Sequence, residues 1–137
     1  MTGPVILDAS ACVEFLLGTQ QGAEVWELIR VADAVHAPDL MVGEVLSALR
    51  GLWRGGVISE REAGAAVRRL GELQLEVVSA LALAPRVWGL ASAHAVYDAH
   101  YVALAELVSG ELLTCDAKLA RAVRGVPVRL VPLPASD

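Results

Sequence analysis

Short apolar runs alternate along this chain with longer stretches in which apolar residues recur every three or four positions. "PVILD" (4–8) is the first such run and reads as a strand, followed by a helix over about 10–17 that stops at Gly18. "QQGAEVWELIRVA" puts Val25, Leu28, Ile29 and Ala32 on one helical face, and "AVHAP" is a short second strand closed by Pro38. Asp39 stands as the N-cap of a helix to about Arg54, with Leu40, Gly43, Val45, Leu46 and Leu49 as its inward stripe. Ser59 and Glu62 form an S-x-x-E capping box for a helix reaching about Leu73. "LEVVSA" predicts a third strand, Pro85 opens a helix through about 94, and Asp98 caps or begins another that runs to Val108 and breaks at Gly110. "ELLTC" is a fourth strand with a short helix after Asp116, and "VRLVPL", flanked by Pro127 and Pro132, reads as an edge strand.

This alternation predicts an α/β fold: three layers, α/β/α, around a central, mostly parallel sheet. With 137 residues and no repeat, linker or low-complexity tract, a single domain over 1–137 is expected.

Composition sharpens the picture in one respect. Hydrophobic residues make up 55% of the chain and mean hydropathy is +0.54, which implies an extensive core or apolar surface reserved for a partner. A membrane span is not expected, because "VVSALALA" and "VWGLASAHAVY" fall short of the roughly 18 apolar residues that a spanning helix needs. "MTGPVILD" lacks the basic segment of a secretory leader, so the expected location is the cytoplasm. A net charge of −5 gives no bulk attraction for polyanions. Basic residues nevertheless collect in two regions, Arg50, Arg54, Arg61, Arg68 and Arg69 in one, Lys118, Arg121 and Arg124 in the other. Cys12 and Cys115 fit no zinc spacing and read as small core residues. His94 and His100 are not one helical turn apart and belong to no HExxH pattern.

Four acids occupy special places. Asp8 ends the first strand, Glu44 lies one turn inside an otherwise apolar helix, Asp98 stands at a helix start, and Asp116 follows the fourth strand. Singly, the three aspartates are explained as helix N-caps; Glu44 is not. Together they fit a site, because ligands of an open parallel sheet bind beyond the carboxyl ends of its strands. Hard oxygen donors without imidazole or thiolate favour magnesium, with manganese as the other candidate. Glu44 is either a ligand or the general base. Lys118 and Arg121 are basic residues just past the last acid.

"ILDASACVEFLL", "APDLMVGEVLSALR", "YDAHYVALAE" and "LLTCDAKLARA" together resemble the four motifs of the PIN-domain ribonucleases, in order and over essentially the whole chain. The likeness is to the VapC-type toxins of toxin–antitoxin pairs, and includes the tyrosine of the third motif and the threonine before the last acid. It implies a magnesium-dependent endoribonuclease with Asp8, Glu44, Asp98 and Asp116 as its acidic site, and Ser10 and Thr114 beside them to bond a carboxylate or a substrate phosphate. It also implies a homodimer and a cognate antitoxin. Val13, Phe15, Leu16, Leu17 and Trp26 are candidates for the antitoxin's groove, and Trp53 and Trp88 for the dimer interface. Where some relatives carry a further acid after the fourth, this chain has Lys118, Leu119 and Ala120, which leaves one metal or two open.

Other chemistries fit less well. Asp8 lacks the second acid two residues on that a haloacid-dehalogenase-like DxD motif carries, and the acidic pair of a receiver domain. The remaining alternative is an interaction module whose acids are only caps.

Overall fold

The structure, a computed structural model, describes residues 3–135. Met1 and Thr2, and the last two positions of the expected 1–137 domain, lie outside the described residues. The chain runs β1 (Val5–Leu7), α1 (Ala9–Leu17), α2 (Gln20–Ile29), β2 (Val35–Pro38), α3 (Leu40–Arg54), α4 (Glu60–Glu72), β3 (Glu76–Val78), α5 (Ala80–Leu90), α6 (Val96–Val108), β4 (Glu111–Thr114), α7 (Ala117–Ala122) and β5 (Val128–Leu130). All five strands pair in parallel, in the order β3-β2-β1-β4-β5. The expected edge strand, β5, is indeed an edge.

The strand order places the site. The chain first steps from β1 through β2 to β3, then returns to lay β4 on the other side of β1. A crevice therefore opens between the carboxyl ends of β1 and β4, where connections leave in opposite directions. β1 is buried along its length, as parallel strands covered on both faces must be. Helix α1 packs on α2, α3 and α4, while α6 packs on α5 and lies along β1, β2 and β4. The core gathers Ile6, Leu7, Leu16, Val25, Met41, Val45, Leu104, Leu112 and Leu113.

Two glycines permit close approaches. A Cβ on Gly22 would stand 2.1 Å from the Glu14 carbonyl oxygen, so α2 can press on α1 only with glycine there. A Cβ on Gly110 would meet Ile6 Cδ1 at 2.6 Å and the Pro4 carbonyl at 2.8 Å.

Several local expectations need correction. Helix α5 begins at Ala80, capped by Ser79, and ends at Leu90; Pro85 lies in its interior. Pro85 and Leu81 are exposed, so the Leu81 carbonyl that loses its usual donor faces solvent. The α3 stripe is Met41, Val45 and Leu49, whereas Leu46 and Gly43 are exposed; the helix is rotated relative to the expected face. Asp39 precedes α3 but makes no cap bond to it, and accepts instead from the Ala80 amide at 3.0 Å. Helix α6 starts two residues ahead of Asp98, so Asp98 sits in its first turn without capping it. The left-handed residue that closes α6 is Ser109 (φ 55°), not Gly110. The Ser59–Glu62 capping box forms as expected. Among the described residues no helix is long and apolar enough to cross a membrane.

Candidate active site

Asp8 is where the apolar strand β1 meets α1, and it does two jobs. Its Oδ1 caps α1 by accepting the Ala11 amide at 2.9 Å, and also accepts the Ser10 hydroxyl at 2.8 Å. Its Oδ2 accepts the Thr114 hydroxyl at 2.6 Å. Asp8 is only 4% exposed, and Thr114, the last residue of β4, is fully buried. Adjacent parallel strands bring the two together: Leu7 pairs with Leu113, and the Asp8 amide donates to the Leu113 carbonyl at 3.1 Å.

Thr114 carries the contact on to the next acid. Its Oγ1 accepts the Asp116 amide at 2.9 Å, and Ser10 Oγ accepts the Cys115 amide at 3.0 Å. Asp116 in turn caps α7 through Oδ1, accepting from Lys118 and Leu119, and is exposed. Ser10 and Thr114 thus bond a carboxylate and the backbone of the last motif, one of the two roles expected for them.

Burial pushes the Asp8 carboxyl up to about 6 from 3.8, against the lowering effect of its Thr114, Ala11 and Ser10 donors, with the Asp116 charge raising it further. Asp98, half-buried on α6, is also raised, first by desolvation and then by Asp116, while His94 and Lys118 pull it down. The Asp116 charge therefore acts on both Asp8 and Asp98. Glu44 reaches the site differently. It is half-buried on α3, and its Oε1 accepts the hydroxyl of Tyr101 of α6 at 2.5 Å. Tyr101 is buried, and its ionisation is raised by burial, then by Glu44 and, more weakly, by Asp8. Sequence reasoning assigned Tyr101 no role; the signal was its place three residues after Asp98, on the same helical face.

Among the described residues no three carboxylate, imidazole or thiolate groups gather closely enough to form a ready cage for an ion. The donor set nevertheless suits a hard cation. Its atoms are carboxylate and hydroxyl oxygens, and burial pushes the neighbouring Cys115 thiol up to about 12. A carboxylate has about four acceptor sites, and three on Asp8 are taken, leaving one on Oδ2. An all-oxygen donor set suits magnesium, which keeps several of its waters and takes few protein oxygens.

Lys118 and Arg121 lie exposed on and after the first turn of α7, beside Asp116. His94 is not free to bind metal through Nε2, which accepts the Arg124 amide at 3.1 Å. Of the residues expected to line a groove, Val13 and Leu16 are core, Phe15 and Leu17 are half-buried, and Trp26 is 47% exposed and stacks on Phe15 at 5.8 Å.

Comparison with known proteins agrees with this topology. A profile of the PIN domain matches residues 5–125. Ribonuclease VapC12 of Mycobacterium tuberculosis is 38% identical over 117 residues, covering 85% of this chain and 90% of the relative. The crystal structure of PAE2754 from Pyrobaculum aerophilum superposes with a TM-score of 0.68 at 21% identity, over 91% of this chain and 83% of that one. A DNA-bound VapBC from Salmonella typhimurium superposes with a TM-score of 0.62 at 14% identity, over 96% and 99%. The parallel sheet and the helices around it are thus a known scaffold: this chain belongs to the PIN-domain family, and the curated relatives it matches include VapC ribonucleases.

Proposed function

We propose that this chain is a divalent-metal-dependent endoribonuclease that hydrolyses RNA phosphodiester bonds and acts as the toxin of a toxin–antitoxin pair. The observation that carries the reading is Asp8, a carboxyl buried at the sheet's switch point, with Asp116 near enough to raise it. An isolated acid in that position is costly, and a cation is what makes it comfortable in its charged form. The cap-only alternative accounts for Asp8 and Asp116, which do cap helices, but gives no reason for Glu44 and Asp98, which cap nothing.

Magnesium, or manganese in its place, would be held by Asp8, Asp98 and Asp116; when bound, such an ion lowers the pKa of water and polarises a phosphoryl oxygen. Glu44 serves as a further ligand or as the base that takes the proton of the attacking water. Thr114 and Ser10 hold the Asp8 carboxylate in one rotamer, so the crevice is organised before RNA arrives. Lys118 and Arg121 hold substrate phosphates beside an otherwise acidic crevice, a contact that salt weakens.

The kinship with VapC proteins supports a cognate antitoxin as partner and the cytoplasm as the place of action. Trp26 opens onto a cleft of about 680 Å³ whose apolar wall includes Ile29, Leu73 and Leu75 and whose rim carries Glu72 and Glu76. That surface suits an apolar antitoxin segment with basic flanks. Trp88, 79% exposed on α5, and Trp53, 36% exposed on α3, supply apolar surface for a homodimer.

The test uses purified chain freed of any antitoxin. RNA should be cut with magnesium or manganese, and neither in EDTA nor by Asp8→Asn. Equal RNA loss in all conditions defeats the reading. Induction of the chain alone should arrest growth, and its cognate partner should relieve the arrest.

A further inference from the structure

Glu44 is the acid whose place in the site depends most on another side chain. It projects from α3, whereas Asp8 and Asp116 are fixed by strand ends and backbone amides. A half-exposed glutamate has three rotatable bonds and many solvated rotamers, so something must select one. Tyr101 does so. Its ring is buried in the core, only 3% exposed, and it has two rotatable bonds, so its hydroxyl is a nearly fixed donor aimed at Glu44 Oε1 at 2.5 Å.

The surroundings of that hydroxyl are informative. The phenol proton is directed to Glu44, so this one bond joins the buried face of α6 to α3. Asp98 and Tyr101 share a face of α6 at i, i+3 spacing, so a single helix delivers one acid itself and a second acid through a hydrogen bond. With Oε1 engaged by Tyr101, Oε2 of Glu44 has no hydrogen-bond partner among the described residues.

We propose that Tyr101 is a positioning residue that holds Glu44, through its hydroxyl, in the rotamer in which Glu44 contributes to cation binding at the crevice. The proposal rests on the nuclease reading above and assigns Glu44 the ligand role. A partner that orients a metal ligand typically contributes tenfold to a hundredfold to metal affinity.

The test is manganese binding to the antitoxin-free chain, followed by electron paramagnetic resonance, alongside cleavage kinetics. Tyr101→Phe should weaken manganese binding about tenfold and raise the manganese concentration needed for half-maximal cleavage to match, with KM for RNA unchanged at saturating metal. In a Glu44→Gln background the same change should cause no further loss, because the hydroxyl acts only through that carboxylate. Glu44→Asp draws the carboxylate back from Tyr101 without touching the core, and keeps the proposal testable should Tyr101→Phe fold poorly; it should lose manganese affinity to a similar degree. A Tyr101→Phe protein that melts earlier but binds manganese like wild type overturns the positioning role and leaves the nuclease intact, as does a Glu44→Asp protein with full affinity. A wild-type chain that neither binds manganese nor cleaves RNA overturns the nuclease reading, and this proposal with it.

Discussion

The two halves of the proposed crevice are held by different means. On the β1–β4 side, Asp8 and Asp116 emerge from neighbouring strands, their carboxylates accept backbone amides, and Thr114 and Ser10 fill the space between. On the α3–α6 side, Glu44 and Asp98 ride on helices, accept no capping amide, and owe their placement to helix packing and to Tyr101. The first half is bound up with folding: losing a donor there unsettles a helix start, a strand end and a buried carboxyl together. The second half is built onto an already folded frame. Changes on the strand side should therefore alter both stability and activity, in whichever direction, and changes on the helix side activity alone.

The largest effect expected is on Asp8. Asp8→Asn should reduce cleavage about a thousandfold or more, which corresponds to the several kcal/mol that a held cation contributes. Its effect on stability has the opposite sign. Folded Asp8 binds its proton more tightly than the unfolded chain does, with a pKa of about 6 against 3.8. The stabilisation that this proton gives is fully present below pH 3.8 and is lost as pH rises through 6. At pH 7.5 in chelator the wild type thus carries a buried charge that Asn lacks, and Asp8→Asn should be more stable by on the order of 1–2 kcal/mol. Denaturant melts of both proteins from pH 4 to 8 check this. The gain should shrink toward pH 4, and added magnesium should restore the wild type at neutral pH. A variant that is less stable at every pH would mean that the cap and hydroxyl bonds outweigh burial.

Thr114→Val comes next. It removes the Oγ1 donor to Asp8 and the acceptor for the Asp116 amide while keeping the shape of the buried side chain. A loss of about 1–3 kcal/mol is expected for the unsatisfied groups, with a fall in cleavage of about tenfold or more. Thr114→Ser should retain most of both. Asp98→Asn sharpens the contrast from the helix side, with cleavage down by about a hundredfold and melting temperature nearly unchanged, since Asp98 caps nothing. An Asp98 variant that unfolds would dissolve the distinction between the two halves.

Much of the strand half was legible in the sequence. A run such as "VILD" announces both the buried strand and the acid at its end, and "LLTCD" does so again with the threonine in place. The helix half was harder because it depends on rotation. A shift in the buried face of α3, with Met41 inside and Leu46 outside, was invisible to spacing alone. Asp98 looked like a cap because helix starts are uncertain by a residue or two, and α6 begins earlier, at Val96. The Tyr101–Glu44 bond spans 57 positions, and no local pattern encodes a contact between side chains on two helices. Pro85 misled for a similar reason: a proline usually marks a helix start, yet α5 tolerates it on an exposed face.

Asp39 offers the smallest and most discriminating test. It follows β2 as Asp8 follows β1, although its sequence context reads only as the N-cap of the next helix. β2 lies on the far side of β1 from β4, however, and Asp39 turns toward the outer strand, where its Oδ1 accepts the Ala80 amide that starts α5. Exposed and away from Thr114, it has no part in the network around Asp8. Asp39→Asn keeps an oxygen acceptor for Ala80, so its melting temperature should fall by no more than about 2–4 °C and cleavage should stay within about twofold of wild type. If cleavage falls as far as in Asp98→Asn, the functional crevice extends across β2, and the division between a strand half and a helix half gives way to a ring of acids along the whole carboxyl edge of the sheet.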